Sequence, residues 1–136
     1  MSRLPRAQEF LKTGFNAEAA SAARFRAMAA RAEREGKPRL AAALLGLAAE
    51  KDALALSQYE AAQSIREPHE GLAAEIEAAL AEERYENEQL YPRMWRDVDP
   101  ETGAVFHAVV ARQAEQATEL ESLVDRLGRS VGDLSA

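Results

Sequence analysis

Apolar side chains recur along this chain at steps of three and four, in four stretches separated by Gly, Pro and Asp. The first stripe reads Leu11, Phe15, Glu18, Ala22, Phe25, Ala29, and the fourth reads Phe106, Val110, Gln113, Ala117, Leu120, Val124, Leu127. The third, Leu72, Ile76, Ala79, Glu83, Glu86, Leu90, Met94, carries two carboxylates on an otherwise apolar face. Spacing of this kind is the signature of amphipathic helices. It predicts helices over roughly 6–35, 38–65, 72–96 and 104–127. Gly36-Lys37-Pro38, the loop Arg66 to Gly71 and the turn Asp97 to Gly103 are the breaks. Four helices with short connections make an all-α, up-down four-helix bundle, a single domain over residues 1–136.

The second stretch admits two readings. One stripe is Leu40, Leu44, Leu47, Lys51, Leu54, Gln58; the other is Leu40, Ala43, Leu47, Glu50, Leu54, Ala61. The first has more apolar bulk and turns Lys51 inward. Glu50 and Lys51 are adjacent, so they lie about 100° apart and only one can face a bundle centre. Gly14, inside the first helix, costs about 1 kcal/mol against Ala and marks a place for close helix packing.

Glu18, Glu83 and Glu86 are the candidate chemistry. A buried carboxylate without a partner costs several kcal/mol, so their surroundings must supply a cation, a proton or water. The bland alternative is a solvated acidic face, which produces Glu-x-x-Glu by chance. Trp95, beside a turn, is a core-capping or interface residue. The only histidines, His69 and His107, fall in a loop and near a helix start.

Composition narrows the classes. Ala, Leu, Glu and Arg dominate, as suits helices. A net charge of −6 argues against nucleic acid or an anionic membrane as partner. With no cysteine, disulfides, thiolate metal sites and thiol nucleophiles are excluded. No apolar run is long enough for a signal peptide or a membrane span, so a cytoplasmic protein is expected. There is no Gly-rich phosphate loop and no nucleotide fingerprint.

Two segments carry a resemblance. Gly14-Phe15-Asn16-Ala17-Glu18 with Ala32-Glu33-Arg34-Glu35-Gly36, and Glu83-Arg84-Tyr85-Glu86 with Leu90-Tyr91-Pro92, resemble the rubrerythrin family of the ferritin-like superfamily. The resemblance implies a ferritin-like bundle, a homodimer, and a site for two irons. The family's ligands are a lone Glu on the first helix, Glu-x-x-His on the second, Glu-x-x-Glu on the third and Glu-x-x-His on the fourth. Glu18 matches the lone Glu, and Glu83 with Glu86 the third-helix pair. The second-helix motif falls on Lys51 and Leu54, or with a slip on Glu50 and Ala53. The fourth falls on Ala117 and Leu120, or with a larger gap on Gln113 and Gln116. Every alignment lacks both histidines, and the family's rubredoxin module is absent.

Two functional expectations follow. The first is a degenerate, metal-free site in which Lys51 pairs with Glu18, Glu83 and Glu86, in a protein with a binding or structural role and no cofactor. The second is a carboxylate site for iron or manganese built from Glu18, Glu50, Glu83 and Glu86, performing ferrous oxidation or peroxide reduction, with Tyr85 or Tyr91 as a hydrogen-bonding neighbour. A helical interaction or assembly module is a third class. The register of the second helix separates the first two.

Overall fold

A computed structural model describes residues 4–65, 71–128 and 133–134. Every element among them is helical and none is a strand. The chain divides into two compact units, residues 1–69 and 70–136, and each is a helical hairpin.

The first hairpin pairs α1 (Leu4–Arg34) with α2 (Pro38–Ser64). Its turn is a Schellman closure. Gly36 sits at φ 72°, the left-handed conformation a side chain resists. Lys37 N–H then donates to Ala32 C=O at 2.9 Å and Gly36 N–H to Glu33 C=O at 3.0 Å. Pro38 restarts the helix in its first turn, where a missing N–H costs nothing.

The seam between these helices is alanine. Ala22, Ala29 and Ala32 of α1 and Ala41, Ala48 and Ala55 of α2 are the buried residues among those described in this hairpin. On α2 they recur at exact sevens. The first-helix stripe faces inward as its spacing predicts, with Leu11, Phe15, Glu18 and Phe25 partly buried around Ala22 and Ala29. The favoured second-helix stripe does so only in part, with Leu44, Lys51 and Gln58 partly buried. Leu40, Leu47 and Leu54 are 49, 44 and 48% exposed, on the flank of the seam rather than in it. Weighting bulk picked the wrong centre, because the smallest side chains let two helices approach closest. Phe15 and Tyr59 close one end with ring centroids 5.5 Å apart, and the Gln58 amide lies over Gly14, where a Cβ would overlap it.

The second hairpin folds α3 (Leu72–Tyr85), a π-helical turn Glu86–Leu90 and α4 (Tyr91–Trp95) against α5 (Pro100–Gly128). The backbone stays right-handed helical through both junctions, so the first three form one interrupted rod. Pro92 explains the interruption. Its ring clashes with the carbonyl four residues back, and a widened turn relieves that clash. Tyr91 N–H accordingly bonds to Glu86 C=O, five residues back. Leu80, not Ala79, is the buried residue of α3, and Leu72 is 67% exposed.

Helix α5 starts four residues earlier than the Asp-Pro-Gly run suggests. Asp99 caps it: Thr102 N–H donates to Asp99 Oδ2 at 3.0 Å and the Thr102 hydroxyl to Oδ1 at 2.7 Å. Pro100 then occupies the first turn. The predicted α5 stripe is its inner face, with Ala117 buried and Phe106, Val110, Gln113, Leu120, Val124 and Leu127 partly buried. Tyr91 packs on Phe106 at 5.7 Å, and Trp95 stacks on His107 at 3.8 Å beside Gly103. The expected loop, His69 included, lies at 66–70, outside the described residues, as do residues 129–132 beyond α5.

Candidate functional site

The candidate residues fall in both hairpins. In the first, Lys51 stands three residues after Ala48 and four before Ala55, within roughly 60° of the alanine seam. Its side chain crosses to α1, and Nζ lies 2.8 Å from Glu18 Oε2. The two side chains are 32 and 25% exposed, and Glu18 Oε2 itself is shut off from solvent. The contact is an ion pair rather than an aligned hydrogen bond, since no donor meets Oε2 at hydrogen-bonding angles. Glu50 is exposed, being roughly 150° from the seam on the wheel. The structure therefore brings Lys51, and not Glu50, to Glu18.

Leu44, Leu47 and Leu54 flank Lys51 along α2 at helical spacing. A second pair, Arg26 with Asp52 at 2.7 Å, links the same helices, with both side chains about half exposed. Screening makes that one weak, on the order of a few tenths of a kcal/mol. Less water reaches the Glu18–Lys51 pair, so removing either partner leaves a poorly solvated charge.

In the second hairpin, Glu83 and Glu86 share the inner side of the interrupted rod and are partly buried. Desolvation raises the Glu83 pKa above its ordinary 4.5, and the negative charge of Glu86 adds to the rise. Gln113 of α5 donates from Nε2 to Glu86 Oε1 at 3.1 Å. Glu83 Oε2, Asn87 Oδ1 and Gln113 Oε1 are all closed to solvent without a hydrogen-bond donor. Three occluded acceptors together favour a proton on Glu83 or an internal water.

Neither Asn87 nor the donating role of Gln113 was evident in the sequence. Asn87 follows Glu83 by four residues, which was the available signal. Of the two fourth-helix alignments, Gln113 contacts Glu86, Ala117 is buried and Leu120 partly so, while Gln116 is exposed. Tyr85 is exposed and Tyr91 packs on Phe106. His107 is committed to its stack on Trp95.

Arg84 pairs with Glu121 at the rim of this hairpin. No group of three or more His, Asp or Glu side chains converges to hold a metal ion among the described residues. The donor set in each hairpin is thus a poor fit to the two-iron pattern. In the first, an ammonium meets the lone Glu. In the second, Glu86 accepts from the amide of Gln113 rather than from an imidazole.

No protein-family model matches this sequence, and none of the curated proteins compared with it shows a significant match. No helix among the described residues is long and apolar enough to cross a membrane.

Proposed function

We propose that this chain is a rubrerythrin-like protein of the ferritin-like fold whose diiron site has degenerated to a metal-free acid–Lys arrangement. Its role on this reading is binding or structural rather than catalytic, in a cytoplasmic homodimer. The supporting observation is the Lys51 ammonium 2.8 Å from Glu18, the residue that matches the family's lone ligand. A carboxylate left beside apolar side chains needs a positive charge, and a tethered ammonium supplies it without metal. On the alignment of the apolar positions, the other lost ligand positions are apolar as well. Leu54 follows Lys51 on α2, and Ala117 and Leu120 hold the corresponding stretch of α5.

The iron- or manganese-dependent oxidase or peroxidase reading requires Glu50 to join Glu18, Glu83 and Glu86. The exposure of Glu50 counts against it, while the occluded oxygens around Glu83 are the one feature in its favour. Metal analysis by mass spectrometry, after anaerobic loading with Fe²⁺ and Mn²⁺ and desalting, separates the two. The proposal expects no retained metal in a well-folded helical protein. Retention of about one or two ions per chain, lost in Glu83→Ala, sinks it. Light scattering on the eluted protein tests the dimer.

A further inference from the structure

We infer that Lys51 is the residue that makes the first hairpin exclude divalent cations, and that exchanging its single charge converts Glu18 into a ligand for a hard divalent ion. The inference rests on the metal-free reading above and names the residue responsible for it.

The geometry carries the argument. Lys51 Nζ occupies the approach to Glu18 Oε2 at 2.8 Å, and that oxygen is closed to water. An ion bound there must displace the ammonium or sit beside it. Displacement costs the ammonium its partner; coexistence sets two positive charges within a few ångströms of each other. Either costs more than the same step in water, because Glu18 Oε2 is shut off from the solvent that would screen the charges. The ammonium is also tethered, so its effective concentration at Glu18 exceeds that of any free ion.

Position 51 reaches across the seam, so a carboxylate there would meet Glu18 from the facing helix. Two carboxylates on opposed helices, with water completing the shell, are a minimal oxygen site for a hard divalent cation.

The test uses the full-length chain with Mn²⁺ as the probe. Free Mn²⁺ is followed by electron paramagnetic resonance, and thermal melts are recorded with and without the ion. Lys51→Glu is expected to bind Mn²⁺ about tenfold or more tightly than the natural chain and to melt higher when Mn²⁺ is added. Lys51→Gln, which removes the charge and adds no carboxylate, falls between them. A folded Lys51→Glu as indifferent to Mn²⁺ as the natural chain overturns the inference and leaves the metal-free reading standing. If Lys51→Glu does not fold, equal affinity of Lys51→Gln and the natural chain overturns it instead. Stoichiometric metal on the natural chain defeats the reading beneath it.

Discussion

The alanine seam makes a quantitative demand on Ala22. Its side chain has no exposed surface, and Ala29 and Ala48 along the same seam are each 2% exposed, so nothing larger than a methyl fits between α1 and α2. Ala22→Leu adds three carbons to that space. Were they buried without disturbance, they would stabilise the hairpin by about 0.8 kcal/mol each. They cannot be. The helices must separate over the adjoining turns, and each alanine methyl pulled from its neighbours forfeits a similar amount. Strained rotamers add to this, and overpacking of a tight core costs about 1–3 kcal/mol net.

Ala23→Leu is the control, since Ala23 is exposed and Leu is nearly as good a helix former as Ala. Urea unfolding followed by circular dichroism measures the difference, as a lower midpoint for Ala22→Leu at unchanged slope. Equal midpoints for the two variants would falsify the close-packed seam. So would a shift produced equally by Ala23→Leu.

Three further outcomes follow from the same structure. The raised pKa of Glu83 means that the folded chain holds a proton the unfolded chain has released, so stability falls as pH rises from the unfolded value toward the folded one. Glu83→Gln should therefore stabilise the chain at neutral pH, with the gain vanishing below about pH 4; urea midpoints across that range check it, and a gain independent of pH refutes it. Asp99 has the opposite sign, because the Thr102 hydroxyl and N–H lower its pKa. Asp99→Ala should cost stability at neutral pH and cost nothing once acid has protonated the natural residue, with amide exchange accelerating first in the opening turn of α5. Gly14→Ala displaces only the end of the flexible Gln58 side chain and gains helix propensity, so a melting-temperature rise worth up to about 1 kcal/mol is expected; a fall would show that the amide cannot move aside.

Periodicity alone located the helices, because Gly36, Pro38 and the 3.6-residue repeat are strong signals. It also identified the inner faces of α1 and α5, where aromatic and branched residues mark the stripe. It misjudged α2, where leucine bulk outweighed Ala41, Ala48 and Ala55 although a two-helix seam selects for smallness. On α3 it located Ile76, Glu83, Glu86, Leu90 and Met94, all partly buried, and missed at Leu72, which is exposed, and at Ala79, whose neighbour Leu80 is the buried residue; the widened turn before Pro92 was not legible either. The choice between Glu50 and Lys51 leaned to Lys51 on leucine bulk, which is not what decides it. It is decided by which face the alanines claim, and an alanine face is nearly silent in hydrophobicity. Asn87 and Gln113 were hidden for a related reason, since a polar residue on an inner face reads as an error of register until its neighbour is seen.

An interior built mainly of methyl groups also shapes how this protein meets temperature. The heat capacity of unfolding grows with the apolar surface newly given to water, and a methyl has little to give. The first hairpin should therefore show a low heat-capacity increment per residue, hence a shallow stability curve and a broad melting transition. Such a curve changes little between cold and warm conditions, and its midpoint is governed by helix propensity and capping more than by the hydrophobic effect.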